Sequence, residues 1–128
     1  SGGGGVRANV DRWIKQFEDI MDQDVKEEIV KEIKVTFVKT TGTFLSGSPF
    51  GPKTPKPGYS LMGAIVEGRQ GSIFLKMVGQ TKAVKAFEKP LVEMVKNAIV
   101  FLVDQFINNE TIEKKIKHLE KQKKINQK

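Results

Sequence analysis

Two segments of alternating apolar residues, Tyr59–Val66 and Ser72–Val78, flank the short run Glu67-Gly-Arg-Gln-Gly71. Alternation at period two marks strands with one buried face, and the glycines supply the positive φ that a tight hairpin needs. A helical pattern starts straight afterwards at Thr81, a residue suited to an N-cap. A hairpin running directly into a long helix predicts an α+β fold with an antiparallel sheet flanked by helices.

The rest of the chain is read around that unit. Val10, Trp13, Ile14, Phe17, Ile20 and Met21 recur at helical spacing and predict a helix over Val6–Met21, with Trp13 and Phe17 in the core. Asp22–Glu32 is polar and acidic, and reads as a short helix or an exposed loop. Ile33–Lys39 alternates and is β-branched, so it is a strand. Thr40–Thr43 is expected to turn the chain, and Phe44-Leu45 to add a short strand. Pro49, Pro52, Pro55 and Pro57 make Ser46–Gly58 a loop with polyproline character, either a stiff crossing or a ligand for an aromatic groove. After Thr81, Pro90 either opens a second helix or kinks one long helix. Leu91–Phe106 carries a wide apolar face for the sheet. Asn108-Asn109 is expected to break the pattern.

At 128 residues the chain holds one domain with an appendage. The predicted organisation is a flexible glycine segment over 1–5, an α+β domain over 6–107 and a basic helical tail over 108–128. The opening Ser-Gly-Gly-Gly-Gly reads as processed or truncated. The tail holds seven Lys against three Glu, a net +4 of the chain's +7. In it Ile112, Ile116 and Leu119 form one narrow apolar stripe. Glu110 and Glu113 precede Lys114 and Lys117 at spacing four, which supports an isolated helix. The candidate partner-binding residues are therefore Ile112, Lys114, Lys115, Ile116, Lys117, Leu119, Lys121, Lys123 and Lys124, expected to meet an acidic partner surface.

Other chemistry is thinly supplied. There is no cysteine, so there is no disulfide, thiolate zinc site or thiol nucleophile. The one histidine, His118, sits among the tail lysines. The acidic run Asp22–Glu32 lacks the spacing of a calcium loop and is interleaved with Lys26 and Lys31. No metal, cofactor or catalytic constellation is expected. The longest apolar run, Ala98–Val103, is closed by Asp104 and is too short to span a bilayer.

Two segments carry a resemblance. Gly4-Gly-Val-Arg-Ala-Asn-Val-Asp-Arg-Trp13 resembles the GG-x-x-ANVNRW segment of small extracytoplasmic proteins, often lipoproteins, of planctomycetes and related bacteria. Ala64-Ile-Val and Ser72-Ile-Phe-Leu-Lys-Met-Val-Gly79 resemble their AAI…WFFKLTGP hairpin. Their arrangement is similar to the PsbP-like fold, known from an extrinsic accessory subunit of photosystem II. The resemblance implies an accessory or docking role in a periplasm-like, extracytoplasmic compartment and brings no catalytic residues. Asp11 stands where the family has Asn and Gln80 where it has Pro. The family's N-terminal strands do not precede the glycine run here, and the basic tail is an addition. The resulting expectation is a non-enzymatic accessory or assembly factor for an acidic protein complex. The alternatives are nucleic-acid binding, poorly supported because Lys114–Lys128 lacks aromatics and Arg, and a small-ligand carrier.

Overall fold

A computed structural model describes residues 5–126, without the side chains of 106–109 and 124–126. The order is α1 (Gly5–Ile14), β1 (Phe17–Val30), β2 (Ile33–Ser46), β3 (Thr54–Gly68), β4 (Gly71–Gln80) and α2 (Thr81–Asn126). The strands form one antiparallel meander, β1-β2-β3-β4. The α+β class and the flanking helices are as the sequence predicts.

Period-two alternation sends the strand residues to two faces, and a helix covers each. On one face Val38, Leu61 and Ile65 pack with Val10, Trp13 and Phe17 under α1. On the other, Val35, Phe37, Ala64 and Val66 pack with Val95 and Ile99 of α2. The indole of Trp13 packs against the strand at Gly63, where an added Cβ would lie 2.5 Å from its Cζ3. Phe74 meets the same indole edge-on, with ring centroids 6.5 Å apart. Gly63 is therefore a seat for the indole.

The N-terminal third departs from the sequence reading. The first helix stops at Ile14, and Ile20 and Met21 belong to β1, where they are exposed. Phe17 is buried as the first residue of that strand. The acidic stretch is strand throughout, not a helix or loop, and it ends in a two-residue turn at Lys31-Glu32 between paired Val30 and Ile33. Both turn residues have positive φ, 51° and 68°, the signature of a type I′ hairpin. Thr40–Thr43 does not turn the chain; β2 continues to Ser46 with an irregularity at Gly42. There a Cβ would lie 2.7 Å from the Glu18 carbonyl, so glycine lets β1 bulge against it.

The proline segment is partly strand. Pro55 pairs with Leu45, but β4 reaches only to Tyr59, so this stretch of β3 has a neighbour on one side alone. A proline is tolerated where its missing N–H faces no strand. A chain of hydroxyls ties this end to α2. Thr41 Oγ1 and Ser60 Oγ are 2.7 Å apart, Ser60 Oγ and Thr81 Oγ1 2.8 Å, and Thr81 Oγ1 donates to the Gly58 carbonyl at 2.9 Å. Thr81 is thus the first residue of the helix and its hydroxyl is used as a clamp, not as a cap. Pro90 does not divide the helix, and α2 continues through Asn108-Asn109 without a break.

Candidate functional site

The residues that the sequence singles out lie on the far half of α2. That helix is anchored to the sheet by Val84, Val95 and Ile99, all buried. Two ion pairs fasten its flank. Lys39 Nζ donates to Glu88 at 2.6 Å, and Lys96 Nζ lies 2.8 Å from Glu28 of β1. The Lys96 ammonium, hydrogen-bonded to Glu28, holds that carboxyl below the usual carboxylate range. The Glu88 hydrogen bond raises Lys39 above the ordinary lysine range, with burial opposing it.

Past the sheet, α2 continues with no facing element among the described residues. Ile112, Ile116 and Leu119 are about half exposed, at 54%, 49% and 62%. Lys114, Lys115, Lys117, Lys121 and Lys123 are exposed as well. Lys124 lies outside the described side chains. At about 100° per residue, Ile112, Ile116 and Leu119 fall on one line of the helix, within a strip about 60° wide. Thr111, Lys114, Lys115, His118 and Leu119 outline only a shallow surface of this single helix. The tail therefore offers an apolar line bordered by ammonium groups. It can lie in a groove and contribute long-range attraction, but it encloses nothing.

A second feature escaped the sequence. A cleft of about 790 Å³ opens at one end of the domain, between the β1–β2 turn, the β3–β4 turn and the middle of α2. Its apolar wall includes Ile33, Val66, Ile73, Ile99 and Leu102, and its rim carries Lys31, Glu32, Glu67 and Arg69. The rim charges balance, so the cleft does not favour a ligand of either sign. Its position depends on the β1–β2 hairpin, which no glycine or proline marks in the sequence.

No three His, Cys, Asp or Glu side chains converge on a metal-sized space among the described residues. Past the bulge in β1, Asp22, Asp24 and Glu28 share one face of the sheet and Glu27 lies on the other, and Glu28 is taken up by Lys96. No helix among the described residues is long and apolar enough to cross a membrane.

Fold and exposed surface define a class: an α+β domain, one sheet between two helices, with a helical arm carrying basic and apolar groups. Comparison with protein-family models, curated proteins and solved structures finds no match.

Proposed function

We propose that the protein is a non-enzymatic accessory or assembly factor that docks on an acidic surface of a larger protein complex through its helical arm. The observation that carries this reading is the continuity of α2: a helix anchored by the sheet runs on without a break into a segment whose apolar line is about half exposed and whose described lysines are exposed. An isolated helix with so narrow a stripe gains its stability by covering it. The resemblance to small extracytoplasmic proteins with a PsbP-like arrangement supports the same role and a periplasm-like compartment.

The test compares the full chain with one ending at Ile107, both used to capture proteins from native extract across a salt series. Charge attraction over a Debye length of about 8 Å weakens as salt rises. The reading expects one acidic protein retained by the full chain, with affinity that falls with salt and on Ile116→Asp. Equal capture by both chains sinks it. Retention of nucleic acid in place of an acidic protein favours the nucleic-acid alternative.

The cleft supports a second reading, a small-ligand carrier. Its apolar walls and volume suit a small apolar molecule. A fluorescent apolar probe displaced from the wild type but not bound by Leu102→Lys would support that reading.

A further inference from the structure

The inner line of α2 changes character along its length. Val84 and Leu102 are separated by about five full turns, so they point the same way from the helix. Val84 is 5% exposed, whereas Leu102 is 54% exposed. The facing strand repeats the change. Ile73, Leu75 and Met77 share one face of β4, the face on which Leu75 packs with Val92 and Val95 of α2. Leu75 and Met77 are half-buried there, but Ile73 is 49% exposed. Helix and sheet therefore part toward the β3–β4 turn. Leu102 and Ile73 both line the cleft of about 790 Å³ that opens between them. Neither is an ordinary surface residue, because each stands on a face that the fold turns inward.

Three properties of the cleft define what fits it. Its volume is that of a small-molecule site. Its apolar walls, Ile33, Val66, Ile73, Ile99, Leu102 and Val103, are all aliphatic, and no aromatic ring lines it among the described residues. Ring stacking, which holds flat aromatic ligands, has nothing to act on there. A flexible hydrocarbon chain follows such branched walls. The third property is the rim, where Lys31 and Arg69 stand against Glu32 and Glu67. A charged head would give up water there and meet as much repulsion as attraction. Gln70 and Ser72 line the same end. Their amide and hydroxyl both donate and accept hydrogen bonds, which suits an uncharged polar head.

We propose that the cleft binds a single-chain aliphatic amphipath with an uncharged, hydroxyl-type head, its chain between α2 and the sheet and its head at the β3–β4 turn. The proposal rests on the carrier reading of the cleft and names the ligand class. The chain covers Leu102 and Ile73 and so completes the packing of helix on sheet where the protein's own side chains leave it open.

The test is a nuclear magnetic resonance titration of the full chain, labelled at its Ile, Leu and Val methyl groups. The ligands are octanol, nonanol and decanol, the decanoate and decylammonium ions, and naphthol as an uncharged alcohol built of rings. The alcohols should shift the methyls of Ile73, Ile99 and Leu102, and each added methylene should lower Kd about fourfold. Both ions should bind at least about tenfold more weakly than decanol. Naphthol should also be the weaker ligand. Leu102→Lys, at an exposed position that keeps the far-UV circular dichroism native, should weaken decanol at least about tenfold. Ile116→Asp should leave decanol binding unchanged. If no ligand shifts the cleft methyls, the carrier reading falls and this inference with it. If they shift but an ion or naphthol matches decanol, or chain length has no effect, the carrier reading stands and this inference falls. Decanol shifts confined to Ile112, Ile116 and Leu119, or surviving Leu102→Lys, overturn both.

Discussion

Gly63→Ala tests the seating of Trp13. The new Cβ would lie 2.5 Å from Cζ3 and 3.0 Å from Cε3 of the indole, and 3.1 Å from the Leu75 carbonyl oxygen behind it. Carbon atoms rest at about 3.5–4.0 Å, so the overlap is about 1 Å on a side chain with little room to retreat. Trp13 is 9% exposed, shares its cluster with Val10, Phe17, Leu61 and Ile65, and is met edge-on by Phe74. Overpacking of this kind costs about 3 kcal/mol, or a fall in Tm of roughly 12 °C for a domain of this size. The measurement is urea unfolding by far-UV circular dichroism in a double-mutant cycle with Trp13→Ala. Trp13→Ala alone should cost about 3–5 kcal/mol. In its background Gly63→Ala should be neutral, or stabilising by about 0.5 kcal/mol, because alanine suits a strand better than glycine. Two additive losses would refute the argument, since the indole would then not be what the new methyl strikes.

Four further outcomes follow from single positions. Pro90 is exposed inside α2, so Pro90→Ala should restore a helical hydrogen bond and stabilise by up to about 3 kcal/mol, read as a rise in Tm. Glu32 holds φ at 68°, and Glu32→Gly should relieve about 1 kcal/mol of left-handed strain, read as a higher urea midpoint. Thr36 Oγ1 is buried with no hydrogen-bond partner among the described residues, so Thr36→Val should stabilise by about 1 kcal/mol in the same assay. Glu28 has its folded pKa lowered, first by the Lys96 hydrogen bond. Its contribution is therefore complete above the ordinary carboxylate range and is lost as pH falls through that range and below. Glu28→Gln should be less stable than wild type near pH 7, and the gap should close as pH falls below the ordinary carboxylate range; a gap independent of pH would contradict the assignment.

Parts of the fold were legible because packing and local pattern agree there. The β3–β4 hairpin is bounded by glycines and alternates cleanly, and both its strands are observed. Val10, Trp13 and Phe17 were legible as core, but Phe17 is buried from a strand. The spacing of Trp13 and Phe17 fits either element, and nothing at Lys15-Gln16 marks a helix end. Strand β1 was hidden for a physical reason. It is an exposed edge, so its burial pattern is almost uniformly open and its acids mask the alternation. Its turn, Lys31-Glu32, adopts a conformation that usually calls for Asn-Gly, so the strongest hairpin signal is missing. The proline-rich entry to β3 read as loop because the one-sided pairing that permits those prolines is a tertiary fact. The arm residues were legible as an exposed basic stripe, whereas the cleft was not, because its walls come from four separate elements.

The two apolar lines of α2 divide what one helix does. From Val84 to Ile99 its inner face is fixed by the sheet, and the identity of the inner residues follows from burial alone. Burial does not explain why Phe87, Met94 and Phe101 are large and apolar on the outer line, since a monomer would do as well with polar residues there. They stand where the neighbouring sheet edge carries a single charge, Lys76, whereas the opposite edge is heavily acidic. Beyond the sheet the outer line continues as Ile112, Ile116 and Leu119, now with lysines on both sides. The change in flanking charge comes where α2 leaves the domain. A cationic seam on a projecting arm repels its own copy and suits a partner of opposite sign. The charge pattern along one continuous helix thus sets its sheet-packed half apart from its projecting half.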